Sequence, residues 1–355
     1  MGTAVSAQAT STAIAPMRGS TSLLWPVRYK PLPDELLSSW LVRLANGNGL
    51  KVQTFCNLIF GNSRQVWNRD VDRLAPSWLV AELSARTGTP LDTAQATTLR
   101  VYEEVLYARF KTSGALPWMQ TLQMYHRKRE GFGMQYCGSC LAEDSQPYFR
   151  KAWRVSFNTI CSQHGCMLHD RCPQCGSGVA FHRMDVGYDS VPDADAFASC
   201  HLCKCDLRNA ATLPIISYDA EASESHKRLC QGIRNSGRAP ESMGLILDEM
   251  RVRHHLCSLL TSRYKTVTLR QYICDQLGVE DICPVPERVA FETRSLVERH
   301  HLMQLVVWLE LDLESRLRQA WRDKAVRYNH LLKGFKHPPK SYVKVAEIFS
   351  DWRLG

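Results

Sequence analysis

The chain has 355 residues, 45% hydrophobic and 22% charged, with a formal charge of +9 and 14 cysteines. That balance excludes a disordered or low-complexity protein, and the length suits two or three domains with cores of their own. No apolar run reaches the roughly 18 residues of a membrane-spanning helix; the richest, LMQLVVWLELDL at 302–313, carries Gln304, Glu310 and Asp312.

Residues 1–24, rich in Ala, Ser and Thr, have neither the basic start nor the apolar core of a secretory leader and are predicted to be a disordered tail. Many cysteines without such a leader point to a reducing compartment, where C-x-x-C pairs usually bind metal. Residues 25–115 are predicted to form an N-terminal helical domain. Leu36, Leu37, Trp40, Leu41 and Leu44 recur at helical spacing, Gly47-Asn48-Gly49 interrupts, and Val52, Phe55, Cys56 and Ile59 start a second stripe. This is the pattern of a helix-turn-helix and equally of any helical hairpin. A DNA-reading version would place Lys51 and Gln53 at the start of its second helix. A further helix is expected from Ser77, as cap, to Gly88, and another opening with Thr89 as cap and Pro90 at its first position.

Residues 116–215 read as a tandem zinc-ribbon module. AWRVSFNTI at 152–160 alternates Trp153, Val155, Phe157 and Thr159 like a short strand, and the turn-rich, acidic stretch 183–197 reads as a loop. Zinc takes four tetrahedral Cys or His ligands, and a C-x-x-C turn supplies two thiolates at once. One site is assigned to Cys137, Cys140, Cys161 and His164, and a second to Cys172, Cys175, Cys200 and Cys203. Cys166, His169, His201 and Cys205 lie near enough in sequence to substitute, and Cys205 competes directly with Cys203. Sites closed by four protein ligands leave no position for water, so both zinc ions are expected to be structural. Cys56, Cys230, Cys257, Cys274 and Cys283 are read as small buried thiols.

Residues 216–355 are predicted to be a C-terminal helical, basic domain, with its strongest helices at 243–263 and 295–322 and a break at DICPVPER, 281–288. From Lys324 to Lys344 there are six Lys or Arg, two His and no acidic residue, with Tyr328, Phe335 and Tyr342 interleaved. Cations with aromatic neighbours suit a phosphate backbone. Candidate DNA contacts are Lys324, Arg327, Lys333, Lys336 and Lys340 here, and Arg127, Lys128 and Arg129 in a second cluster just before the cysteines. The fold class is therefore mainly α with small zinc-ribbon β elements.

Several motifs together resemble the TniQ family of bacterial transposon target selectors. They are Tyr136-Cys137-x-x-Cys140 with Glu143-Asp144, Tyr148-Phe149-Arg150, Trp153-Arg154, Cys161-x-x-His164-Gly165 and Cys172-Pro173-x-Cys175-Gly176. The opening PLPDELLSSWLVRLANGNGL is similar to that family's start, and the match covers about residues 25–180. The resemblance implies a non-catalytic, cytoplasmic bacterial transposition protein. Such a protein binds target DNA or a target-bound complex and recruits an AAA+ ATPase, and through it the transposase. It also admits attachment to a CRISPR RNA-guided complex and a homodimer. No G-x-x-x-x-G-K-[ST] loop is present, so the chain itself is not expected to hydrolyse ATP. Two other classes compete: a zinc-scaffolded nuclease using His330 and Asn329, and a stand-alone regulator binding DNA through its N-terminal helices.

Overall fold

A computed structural model describes residues 24–122, 134–187, 197–234, 247–261, 269–283 and 289–350. The tail before residue 24, the basic cluster Arg127, Lys128 and Arg129, most of the acidic loop and the Pro-containing 284–288 lie outside the described residues.

The chain begins with helix α1 (Leu37–Gly47), whose leucines and Trp40 are buried. Gly47 ends it where the chain must run close, since a Cβ there would meet the Tyr29 ring at 2.4 Å. Asn48 then ties the turn down, accepting from Val27 N (3.1 Å) and donating to Val27 O (3.0 Å). Gly49 reverses the direction at φ 71°, and α2 (Val52–Phe60) follows. After α3 (Val71–Leu74) comes α4 (Ser77–Thr87), which stops at left-handed Gly88 (φ 62°) as expected. Its N-cap is Pro76 rather than Ser77, and Pro90 rather than Thr89 caps α5 (Leu91–Gln95), so both starts shift by one residue.

In the central region α6 (Gly138–Glu143) opens the cysteine-rich part, and a two-stranded antiparallel ribbon pairs β1 (Ile160–Cys161) with β2 (Cys166–Met167). The strand predicted over 152–160 is not there: Lys151–Arg154 is a 3-10 turn, and β1 begins only at Ile160. The reason is burial on all sides. Every residue from Pro147 to Cys161 is buried, so the apparent alternation did not mark one wet face. Asp34 shapes the turn, taking Lys151 N on its carbonyl (2.7 Å) and Ala152 N on its carboxylate (3.1 Å).

The remainder is helical: α7 (Ala220–Arg234), α8 (Leu247–Leu260), α9 (Leu269–Leu277), α10 (Leu296–Leu311), α11 (Leu313–Arg322), α12 (Tyr328–Leu332) and α13 (Lys340–Glu347). The helix predicted over 295–322 is in fact two. Asp312, at φ −148° and ψ 68°, breaks it and accepts from Ser315 N to cap the second. Ser295 and Glu298 form a reciprocal capping box on α10. One continuous cluster of buried side chains runs from Trp25 to Phe349, through all three regions.

Segment 147–161 lies where these regions meet. On its N-terminal side Phe149 O accepts from Leu36 N (2.9 Å), and Arg154 reaches Asp72 (3.1 Å) and Asp70. On its C-terminal side Arg299 donates to Ser156 O (2.5 Å), His226 Nε2 meets Phe157 O (2.8 Å) and Thr159 Oγ1 meets His300 Nδ1 (2.8 Å). Arg154 is fully buried, so removing its charge strands two carboxylates. Arg154→Met is expected to lower stability by about 3–5 kcal/mol in urea unfolding. Breaking the surface pair Arg86–Glu82 with Arg86→Met should cost no more than about 1 kcal/mol. Equal losses for the two variants would refute the distinction.

Candidate metal centres and basic surface

The sulfurs and imidazole nitrogens assigned from sequence come together in two groups. In the first, Cys137 and Cys140 flank the first turn of α6, while Cys161 and His164 sit at either end of the β1–β2 turn. Gly165 allows that turn at φ 59°, its N–H bonded to Cys161 O (2.8 Å). Cys140 Sγ is 3.6 Å from Cys161 Sγ, and His164 Nδ1 is 3.5, 3.3 and 3.4 Å from Cys137, Cys140 and Cys161. A tetrahedral zinc with Zn–S near 2.3 Å and Zn–N near 2.0 Å requires edges of about 3.5–3.8 Å, close to these separations. The other imidazole nitrogen lies 2.9 Å from Glu143, whose carboxylate also accepts from Gln163 (2.9 Å). That arrangement fixes the ring with Nδ1 toward the sulfurs. Burial opposes protonation of His164, but Glu143 and Cys161 hold its pKa above the ordinary value. The crowded thiols interact strongly: hydrogen bonds from Cys137 and Cys140 drive Cys161 down, while those from Cys137 and Cys161 drive Cys140 up.

The second group joins Cys172 to Cys203 (3.5 Å) and Cys175 to Cys200 (3.7 Å). Two tight turns build it. Gly176 (φ 70°) bonds back to Cys172 O (3.0 Å), and Lys204 (φ 64°) bonds back to Cys200 O (3.0 Å). Ser177 Oγ lies 3.1 Å from Cys175 Sγ, and its hydrogen bonds bring that thiol down to about 6. In each group the four donor atoms lie within 4.8 Å of one another, so each can hold a metal ion.

The substitutes fall outside. Cys205 Sγ points to Asp206 O (3.7 Å) while its carbonyl accepts from Cys200 N (2.8 Å), so the open choice goes to Cys203. His169 Nε2 is 3.0 Å from Ala211 O, and His201 is not part of the group. Cys166, opposite Cys161 in the ribbon, lies 4.0 Å from Cys137 Sγ but outside the foursome. The scattered thiols Cys56, Cys230, Cys257, Cys274 and Cys283 are all buried. The module is tied to its neighbours at two points. Gly138 packs so tightly on the 207–209 turn that a Cβ would meet Leu207 O at 3.0 Å. Asp170, just past the ribbon, accepts from Leu296 N (2.8 Å) at the start of α10, where the helix dipole favours a carboxylate.

Of the candidate DNA contacts, Lys324, Arg327, Lys333, Lys336 and Lys340 are exposed around α12 and α13. Gln53 is exposed on α2, bonded to Asn57 (2.8 Å), and Lys51 is half-buried at that helix's N-cap. His330 is half-buried, its pKa lowered by burial and by Arg327 and Lys333. Among the described residues no helix is long and apolar enough to cross a membrane.

Residues 26–168 match the TniQ family model, a span that takes in the N-terminal helices, the buried 147–161 segment and the whole first cysteine group. No curated protein matches the chain.

The two groups differ in access: Cys175 is exposed and Cys203 half-exposed, whereas Cys137, Cys140 and Cys161 are buried. A thiol reagent applied to the folded protein should therefore label Cys175 faster than Cys140 by about tenfold or more, as read by peptide mass mapping. Similar rates at the two positions would contradict the burial.

Proposed function

The chain carries a TniQ domain, and on that premise we propose that it is a non-catalytic transposition factor. It binds target DNA, or a complex already seated there, and recruits an AAA+ ATPase that engages the transposase. The observation that carries this reading is the family match over 26–168. The geometry around it supports an adaptor. Cys137, Cys140, Cys161 and His164 would hold one zinc, and Cys172, Cys175, Cys200 and Cys203 another. With four protein donors each, neither ion keeps a position for water or substrate, so both act as braces. The DNA face is assigned to the exposed cations Lys324, Arg327, Lys333, Lys336 and Lys340, with Gln53 as a second point of contact. A nuclease centred on His330 is disfavoured, because Arg327 and Lys333 surround that imidazole with positive charge that repels a divalent cation. A second copy of the chain and an RNA-guided complex are the further partners this reading allows.

Phosphate contacts make affinity salt-dependent, each neutralised phosphate adding roughly one to the slope of log K against log salt. Replacing Lys333, Lys336 and Lys340 together by Glu is expected to weaken duplex binding at least about tenfold and to flatten that slope by about three, in anisotropy titrations. An unchanged slope would remove this face from the DNA. Co-precipitation on DNA with the ATPase encoded by the same transposon tests recruitment, and Cys137→Ser is expected to abolish it through loss of the zinc-braced fold. Failure of the wild-type chain to retain the ATPase would sink the adaptor reading, and preference for one operator without the ATPase would favour a regulator.

A further inference from the structure

A third convergence of donors lies outside the family match, among cysteines that sequence spacing gives no reason to group. Cys274 sits on α9, Asp281 on the loop that follows and His301 in the middle of α10. His301 Nε2 is 3.8 Å from Cys274 Sγ and 3.5 Å from Asp281 Oδ1, and the three donor atoms lie within 4.8 Å of one another. Cys274 and His301 are 0% and 1% exposed, and Asp281 is half-buried at the edge of the group, among the C-terminal helices.

The surroundings orient all three. Gly278 (φ 65°) closes α9 and lets Val279 N return to Cys274 O (3.0 Å), which brings the loop back over the thiol. Arg270 Nε grips Asp281 Oδ2 (2.7 Å), and Cys283 N donates to Oδ1 (3.1 Å), turning that oxygen toward His301. The Tyr218 hydroxyl lies 2.8 Å from His301 Nδ1. If that nitrogen carries the ring proton and donates it to Tyr218, Nε2 presents its lone pair to the thiol and carboxylate. This is the usual outer support of a metal-bound histidine.

We propose that Cys274, Asp281 and His301 form a third metal site, one that takes zinc. A mixed thiolate, imidazole and carboxylate set suits a borderline cation and not magnesium or calcium, which want oxygen. Edges of about 3.3–3.6 Å would be needed around a tetrahedral zinc, so the separations from His301 to Cys274 and Asp281 must close by a few tenths of an ångström. The fourth donor is a water, since among the described residues no further Cys, His or carboxylate joins the three within 4.8 Å. Charge is tolerable: thiolate and carboxylate offset the ion, and Arg270 leaves one net positive charge. The ion would pin α9 and its loop to α10, the helix that Asp170 already ties to the ribbon module. The inference does not depend on the transposition reading.

Zinc per chain, measured by inductively coupled plasma mass spectrometry on the full-length protein after exhaustive buffer exchange, tests it. Three equivalents are expected, falling to two in Cys274→Ser and in Asp281→Asn, which keeps the side-chain shape, with the helical circular dichroism retained. Cys137→Ser and Cys172→Ser report separately on the other two groups, so their failure would be distinguishable. Two equivalents in the wild type, both unaffected by Cys274→Ser, would overturn the proposal and leave His301 as a hydrogen-bonded core histidine between Tyr218 and Asp281. Three equivalents surviving in both variants would overturn it as well. The wild-type count still decides against the site where a variant fails to fold. If it reads three there, anomalous scattering at the zinc edge must place the third ion beside His301 or the proposal falls.

Discussion

A guanidinium with no exposed surface stands at the centre of this protein. Arg154 is reached by Asp70 and Asp72, and Asp72 in turn accepts from Ser38 N (2.7 Å) and Ser38 Oγ (2.8 Å) at the head of α1. Taking those charges from water costs more than their attraction repays unless every lone pair and N–H is used, so the cluster fixes geometry more than it adds stability. Burial pushes Asp72 up to about 6, against the pull of Arg154. The neighbouring pairs Lys151–Asp34 and Glu35–Arg43 obey the same constraint. Together they determine how the N-terminal helices sit on segment 147–161, and that segment leads from Arg154 into β1 and the first cysteine group.

The cysteine-rich region needs such anchoring. Its one ribbon among the described residues has two residues per strand, and its turns at Gly165, Gly176 and Lys204 bury little apolar area. Small elements of that kind are stabilised by metal coordination, because ligand binding free energy becomes folding free energy. The module is then fastened outward at two points: through α6 against the 207–209 turn, and past the ribbon through Asp170 to α10. A brace of this sort would transmit position without reacting, as the proposed adaptor role requires.

Much of this was legible in the sequence, for identifiable reasons. Helical stripes at Leu36, Leu37, Trp40, Leu41 and Leu44 and stop signals such as Gly88 act locally, and they gave α1 and α4 to within about a residue. Paired cysteines carry their geometry in their spacing, so both foursomes could be assembled on paper. What failed depends on tertiary burial. Alternation over 152–160 means a strand only where one face is wet, and here neither is. The break at Asp312 interrupts a hydrophobic pattern that continues unchanged through it. Cys274, Asp281 and His301 are single residues on separate elements, so nothing short of the fold could bring them together.

The distribution of charge follows from the same division of labour. Arginines within the core, Arg154, Arg270, Arg294 and Arg299, are buried and bonded to carboxylates, carbonyls or amides, so they are spent on the fold and unavailable to a polyanion. Because most of their partners are carboxylates, these pairs leave the net +9 nearly unchanged, and the cations that can meet a polyanion are those left exposed. Around α12 and α13 these are mostly lysines, on a small helical unit that packs through Leu331 and Tyr342 and is bonded to α8 through His255. Lysine suits a contact that follows phosphates without reading bases, whereas bidentate arginine contacts would be expected of a sequence reader. Under the proposed function this face would supply affinity and orientation on DNA, and target choice would come from another surface or from a partner.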